Sequence, residues 1–191
     1  MAHTHLLLGT TGSGKTHTLQ RLAADPTTTT RAIEPARHAT LTTVADLCAD
    51  FDDAEQILDQ VLDLARRRAQ ACVATGSEAH TPTEDQPRIL LLIGEADHLL
   101  RRQPGLADRL QEIVTTGRPL AIETAVAASN LFLDVWPLDL RAQLLAGDIT
   151  IHGTPDRHSG DLLRERIADG TATLLPHHTR SRTADSAGFG G

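Results

Sequence analysis

Gly9-Thr10-Thr11-Gly12-Ser13-Gly14-Lys15-Thr16 follows directly on the apolar run Leu6-Leu7-Leu8 and fits the pattern G-x-x-x-x-G-K-[ST]. Each residue type has a physical reason. Gly9, Gly12 and Gly14 let the backbone turn its N–H groups inward around an anion. Thr10, Thr11 and Ser13 complete the loop that contributes those groups. A helix starting at Lys15 would add the positive end of its dipole. Lys15 supplies a compact charge to phosphate oxygens, and the Thr16 hydroxyl is of the type that ligates Mg²⁺. The stretch therefore predicts a phosphate-binding turn between a buried strand and a helix, with ATP and Mg²⁺ as its ligands.

The composition sharpens this reading. The chain has 191 residues and 18 Lys+Arg, and Lys15 is its single lysine. Arg serves wherever a generic positive charge is needed. Lys survives where a loop must enclose an ammonium rather than a planar guanidinium. Only 2% of residues are aromatic and none is Tyr, which argues against a base-stacking nucleic-acid module. The net charge of −7 argues against a chain that grips DNA alone, since phosphate neutralisation drives such binding. Contact with DNA would need a local patch or a ring of subunits. Cys48 and Cys72 have no metal-ligand spacing, and a reduced cytoplasmic interior accounts for them. The longest aliphatic run, Ile89-Leu90-Leu91-Leu92-Ile93, is far short of a membrane span, and no secretory leader is expected.

Outward from the loop, strands and helices alternate. Strands are expected over 3–8, 31–35, 88–93, 120–127, 148–152 and 171–175. Helices are expected over 15–24, 44–50, 53–72, 106–116, 138–146 and 159–168. Asp25-Pro26 and the run of threonines over 27–30 are read as stopping the first helix. Gly117 is read as a helix C-cap and Ser159 as an N-cap. Residues 74–86 read as a solvated loop, and 177–191 as a disordered polar tail beyond a domain over 1–176. The alternation implies βαβ units and an α/β fold with a mostly parallel sheet flanked by helices.

Ile89-Leu90-Leu91-Leu92-Ile93-Gly94-Glu95 is the candidate for a second, acidic element: a buried strand ending beside the phosphates. Glu95 stands where a base that activates water would be, and Gly94 stands where a Mg²⁺-orienting Asp is usual. Glu95 could instead cap the next helix. Asp97 reads first as a surface or capping acid, with compensation for Gly94 through water as the alternative. Gly94-Glu95-Ala96-Asp97-His98 also echoes a helicase box, but such helicases need two recombinase-like domains. A small-molecule kinase fits the size but lacks an Arg-rich lid.

Taken in order, several segments resemble the FtsK/SpoIIIE family of DNA-pumping ATPases, including the TraB-type proteins of mycelial actinobacteria. The stretch from His5 to Thr16 is similar to that family's H-L-L-I-A-G-T-T-G-S-G-K-S. Ile33-Glu34-Pro35-Ala36-Arg37 resembles I-D-P-K-R, and Gly94-Glu95-Ala96-Asp97-His98-Leu99-Leu100 resembles D-E-x-A-D-L-L. Gly117-Arg118-Pro119-Leu120-Ala121-Ile122 resembles G-R-A-A-G-I, and the stretch from Leu140 to Asp148 resembles L-R-x-x-L-x-x-G-N. The resemblance implies a RecA-like P-loop NTPase, with Lys15 and Glu95 as catalytic residues. It also implies double-stranded DNA as a partner and assembly as a homo-oligomeric ring or with a larger motor. The family's γ-phosphate-sensing Gln is absent, leaving Ser129 or Asn130 in its place. Arg118 and Arg141 are finger candidates, with solvated or paired side chains as the alternative. Arg66-Arg67-Arg68 and Arg101-Arg102 could face DNA or form solvated helix faces. His177-His178 could catch metal, with nothing nearby to complete a site. The other reading open at this point is a hydrolysis-poor nucleotide-binding switch or adaptor acting on a protein partner, which Gly94 favours.

Overall fold

A computed structural model describes residues 4–35 and 40–176. The tail over 177–191, with His177 and His178, and the Ala36-Arg37 part of the family-like segment lie outside the described residues.

Among the described residues seven strands form one sheet in which every pairing is parallel: β1 (Thr4–Gly9), β2 (Thr28–Ile33), β3 (Leu47–Ala49), β4 (Arg88–Ile93), β5 (Ile122–Ala128), β6 (Asp148–His152) and β7 (Ala172–Leu175). Their order across the sheet is β3-β2-β4-β5-β1-β6-β7. The helices are α1 (Lys15–Leu22), α2 (Ala54–Thr75), α3 (Ala96–Arg102), α4 (Leu106–Thr116), α5 (Leu138–Ala146), α6 (Arg157–Leu162) and α7 (Arg164–Ala168). This is the architecture of a RecA-like P-loop NTPase.

The central strands are buried on both faces, which is why they read as unbroken aliphatic runs. Alternate residues feed two cores. Leu6, Leu8, Leu91, Ile93 and Val126 pack with Ile57, Leu58, Leu99, Leu110 and Leu140 from α2–α5. Leu7, Leu90, Leu92 and Ala125 face the other way, against Leu19 of α1 and Leu41. Strand β1 lies between β5 and β6, yet the chain leaves it for β2 on the far side of β4. That is a topological switch point, where the carboxyl ends of parallel strands open a crevice for a ligand.

Several local expectations are corrected. Residues 44–50 are not helical: a short 3₁₀ turn (Leu41–Thr43) leads into β3, which extends the sheet beside β2. Asp46 fixes this edge by accepting the Thr30 N–H at 2.7 Å, and pairing outweighs the weak helical pattern. Thr28, Thr29 and Thr30 do more than stop α1; they begin β2, as β-branched residues suit a strand. Ser159 is not the cap. Asp156 caps α6 by accepting the Ser159 N–H, and the segment breaks into two short helices at Leu163. Gly117 does end α4, but its φ of −65° is ordinary. Its lack of a side chain matters because a Cβ would lie 2.7 Å from the Ile113 carbonyl oxygen and 2.8 Å from that of Ile122.

Arg68 does not lie on a polar helix face. It is 2% exposed and donates to the carbonyls of Leu120, Ala121 and Pro87 at 2.7, 3.2 and 2.5 Å. Burial without a carboxylate lowers its pKa. Arg68→Ala would strip these carbonyls of a donor and open a cavity, at an expected cost of about 3 kcal/mol in urea unfolding. A loss below about 1 kcal/mol would remove this stapling role.

Candidate functional site

The Gly9–Thr16 stretch occupies the crevice at the carboxyl end of β1. Gly12 and Gly14 have φ of 79° and 103°, in the left-handed region that glycine adopts without a steric penalty. At Gly9 the constraint is also space: a Cβ would lie 2.5 Å from the His152 carbonyl oxygen and 2.7 Å from Ser13 Oγ. The loop therefore rests directly on the end of β6. Helix α1 starts with no side-chain cap and no acidic residue in its first turn, so its positive end faces the crevice uncompensated by them.

Lys15 is 8% exposed, and its Nζ donates to the carbonyls of Gly9 at 2.5 Å and Thr10 at 3.0 Å. Burial lowers its pKa, while the negative charges of Asp97 and Glu95 work against that shift. An ammonium held by two loop carbonyls can exchange them for anionic oxygens without leaving the site. That is the geometry a phosphate-binding lysine requires.

A cavity of about 770 Å³ opens over the loop, large enough for a nucleotide. Lys15, Thr16, Glu34, Gly94, Glu95 and Ala127 are among its lining residues. The sequence-predicted residues at the ends of β1 and β4 thus meet in one space. Thr16, in the first turn of α1, lines the cavity and carries a hydroxyl of the type that could ligate Mg²⁺. The glycine cradle and the uncapped helix start fit a phosphate group that would carry such an ion.

Glu95 caps neither face of α3 with its side chain. Its backbone has φ 53° and ψ 46°, a left-handed conformation that costs a non-glycine residue on the order of 1 kcal/mol. Its side chain lines the cavity, with Oε2 3.3 Å from His98 Nδ1. Gly94 needs no special backbone. A Cβ there would meet Glu34 Cβ at 3.5 Å and the Ile33 carbonyl oxygen at 3.7 Å, both ordinary contacts.

Asp97 is not a surface acid: it is 1% exposed. Its Oδ1 accepts the Ser129 N–H at 3.1 Å and its Oδ2 accepts from Asn130 Nδ2 at 3.2 Å. Sequence reasoning also passed over Glu34 as a site residue. It is 4% exposed, lines the cavity, and accepts from the Leu41 N–H at 2.7 Å and Thr40 Oγ1 at 3.0 Å. The signal was the Ile33-Glu34-Pro35 segment, which marks the carboxyl end of the strand next to β4.

The arginines fall elsewhere. Arg141 is buried and donates to the Leu131 carbonyl at 3.2 Å, within its own chain. Arg118 is exposed, at the amino end of β5 and so at the opposite end of the sheet from the loop. Arg66 pairs with Asp63 and Glu112, Arg101 with Asp134, and Arg102 with Asp52. Among the described residues no helix is long and apolar enough to cross a membrane.

Solved structures of similar fold bear the same architecture. The cytoplasmic domain of EssC superposes with a TM-score of 0.71 at 16% identity, covering 85% of this chain and 35% of that one. The monomer form of the pCW3 conjugation coupling protein TcpA with ATPgS gives 0.63 at 15% identity, covering 75% and 47%. The cytoplasmic domain of the Thermomonospora curvata Type VII Secretion ATPase EccC gives 0.62 at 14% identity, covering 74% and 19%. The chain thus spans less than half the length of each of these structures. No curated protein matches in sequence. The sequence profile described as AAA domain matches residues 3–128, which span strands β1 to β5 and carry the glycine loop, Lys15, Glu95 and Asp97. With that match over most of the chain, and a phosphate cradle at the carboxyl end of the first strand, the chain belongs to the AAA domain family of P-loop proteins.

Proposed function

We propose that the chain is an ATP-dependent motor subunit of the FtsK/SpoIIIE type, near its actinobacterial TraB-like branch. Residues 1–176 act as its nucleotide-binding domain. In this reading the cavity binds ATP with Mg²⁺ in the cytoplasm, hydrolyses it, and couples hydrolysis to movement along double-stranded DNA. The subunit works in a homo-oligomeric ring or with a larger motor partner. One observation carries the reading: Lys15 and Glu95, from the ends of two different strands, line the same cavity. The loop N–H groups and Lys15 hold the β- and γ-phosphates, Thr16 contributes to Mg²⁺, and Glu95 takes a proton from the attacking water. The fold shared with the conjugation coupling protein TcpA and the secretion ATPase EccC supports this reading.

A second reading is favoured by Gly94 and by the arginines. The residue that usually orients Mg²⁺ is missing, and Arg66, Arg101 and Arg102 are tied into ion pairs within the chain. In that reading the chain binds nucleotide as a switch for a protein partner and turns over slowly. ATP turnover with and without duplex DNA separates the two: DNA-stimulated hydrolysis supports the motor, and bound but unhydrolysed ATP supports the switch. A Cβ at position 94 makes only ordinary contacts, and Gly94→Asp is expected to raise turnover about tenfold, the effect of about 1.4 kcal/mol off the barrier. Unchanged turnover in that variant would show that position 94 is not the missing ligand.

A further inference from the structure

The arginine run of α2 divides three ways. Arg66 pairs with Asp63 and Glu112, and Arg68 is buried on backbone carbonyls. Arg67 is exposed, and among the described residues its side chain has no hydrogen-bond or ion-pair partner. It lines a cavity of about 250 Å³ together with Arg31 of β2, Gln60, Val61, Leu64 and Ile89. Two periodicities bring these residues together. On β2, Arg31 alternates with Ile33, which enters the core beneath α2, so Arg31 belongs to the same face of the sheet. On α2, Gln60, Leu64 and Arg67 follow at helical spacing along a single stripe. Val61 and Ile89 are buried and supply an apolar wall. No residue lines both this cavity and the one over the glycine loop.

The charges of this cavity do not balance. Arg31 is half-buried, and among the described residues its side chain also has no hydrogen-bond or ion-pair partner. Asp63 is the one acid of the lining, and Arg66 already holds it at 3.1 Å. Elsewhere Arg101, Arg102, Arg109 and Arg164 pair with carboxylates, and Arg166 donates to the Leu145 carbonyl. Two guanidinium ions lining one small cavity repel each other, and an oxyanion between them offsets that repulsion. Their forked donors match the oxygens of a phosphate, and the Gln60 amide adds a neutral donor. We propose that Arg31 and Arg67, with Gln60, form a second oxyanion site that takes a phosphate group, separate from the nucleotide cavity. The wall of Val61, Leu64 and Ile89 then receives the carbon skeleton that carries the phosphate. The site stands whether or not the chain hydrolyses ATP. Its phosphate belongs either to a free phosphorylated compound or to a polynucleotide backbone, and the two sources behave differently on titration.

The test is read at the two side chains in the full chain. With isotope-labelled arginine, the Nε–H signals are followed by NMR during titration with inorganic phosphate and, separately, with a short DNA duplex. Arg31→Gln and Arg67→Gln assign the two signals by their loss. Both signals are expected to shift along one saturable curve, while that of Arg109, held by Asp59 and Glu55, stays in place. Arg67→Gln is expected to weaken phosphate binding read at Arg31 about tenfold or more. Arg31→Gln, read at Arg67, gives the reciprocal measurement should either variant lose its fold. Saturation by phosphate, with the duplex no more effective, supports the site and assigns it to a free phosphorylated compound. Saturation by the duplex at much lower concentration, weakening steeply with salt, supports the site and assigns it to a polynucleotide. Shifts that stay linear and no larger than those of the exposed Arg118 would overturn the proposal. So would an Arg31 curve unchanged by Arg67→Gln, or saturation by a glutamate-rich peptide where phosphate and duplex have no effect.

Discussion

Replacing Lys15 by Ala is expected to weaken ATP binding about a hundredfold or more, a loss of about 3 kcal/mol, with the fold intact. The side chain is buried and its ammonium engages two loop carbonyls. Its removal leaves the loop N–H groups in place, so residual weak binding through the backbone remains. Lys15→Arg is expected to fail nearly as badly, although every other residue among the 18 Lys+Arg is Arg. The cradle closes on a compact ammonium, and a planar guanidinium needs more room and a different donor geometry. Calorimetric titration with ATP, alongside circular dichroism, reads both variants. An affinity within threefold of wild type for Lys15→Ala would remove the phosphate site from the account.

Replacing Glu95 by Gln is expected to lower kcat by about 10²–10⁴-fold while ATP still binds. The amide keeps the shape of the side chain but cannot take a proton from water. Binding is expected to be retained or slightly tightened, because a negative charge close to the phosphates is gone. The left-handed backbone at Glu95 supports this assignment. The residue lines the cavity and makes no side-chain cap to α3, while its carboxylate lies 3.3 Å from His98 Nδ1. Single-turnover kinetics distinguishes the outcomes. Turnover equal to wild type would leave Glu95 as a structural acid paired with His98.

The parts of the fold set by strong local signals were legible in the sequence. The run of residues 89–93, apolar on both faces, could only be an interior strand, and β4 is that strand. The glycines and the lone lysine fixed the loop because their backbone and charge requirements are narrow. The missed pieces depend on distant partners. Strand β3 has only three residues, and its conformation comes from pairing with β2 rather than from its own pattern. Asp97 looked like a surface acid because its partners, Ser129 and Asn130, lie 32 and 33 residues away. Arg68 offered a clue that was overlooked. It continues the series Val61 and Ala65 at helical spacing, and so falls on the buried stripe of α2. A lone charged residue on such a stripe marks a buried hydrogen-bonding task, here the turn before β5.

Residues adjacent in sequence to the loop, Gly9 to Thr16, could be placed from their motif. Glu34 could not, since its approach to Gly94 follows from the neighbouring of β2 and β4. The consequence is chemical. The position that lacks a Mg²⁺-orienting carboxylate lies next to a buried one that is already engaged by Thr40 and Leu41.

Steady-state ATP hydrolysis by the wild-type chain with Mg²⁺, measured with and without duplex DNA and against Glu95→Gln, tests the central claim most directly. Saturable turnover that disappears in Glu95→Gln and rises with DNA is the expected result. Turnover no greater than that of Glu95→Gln, with ATP bound and DNA without effect, would contradict it.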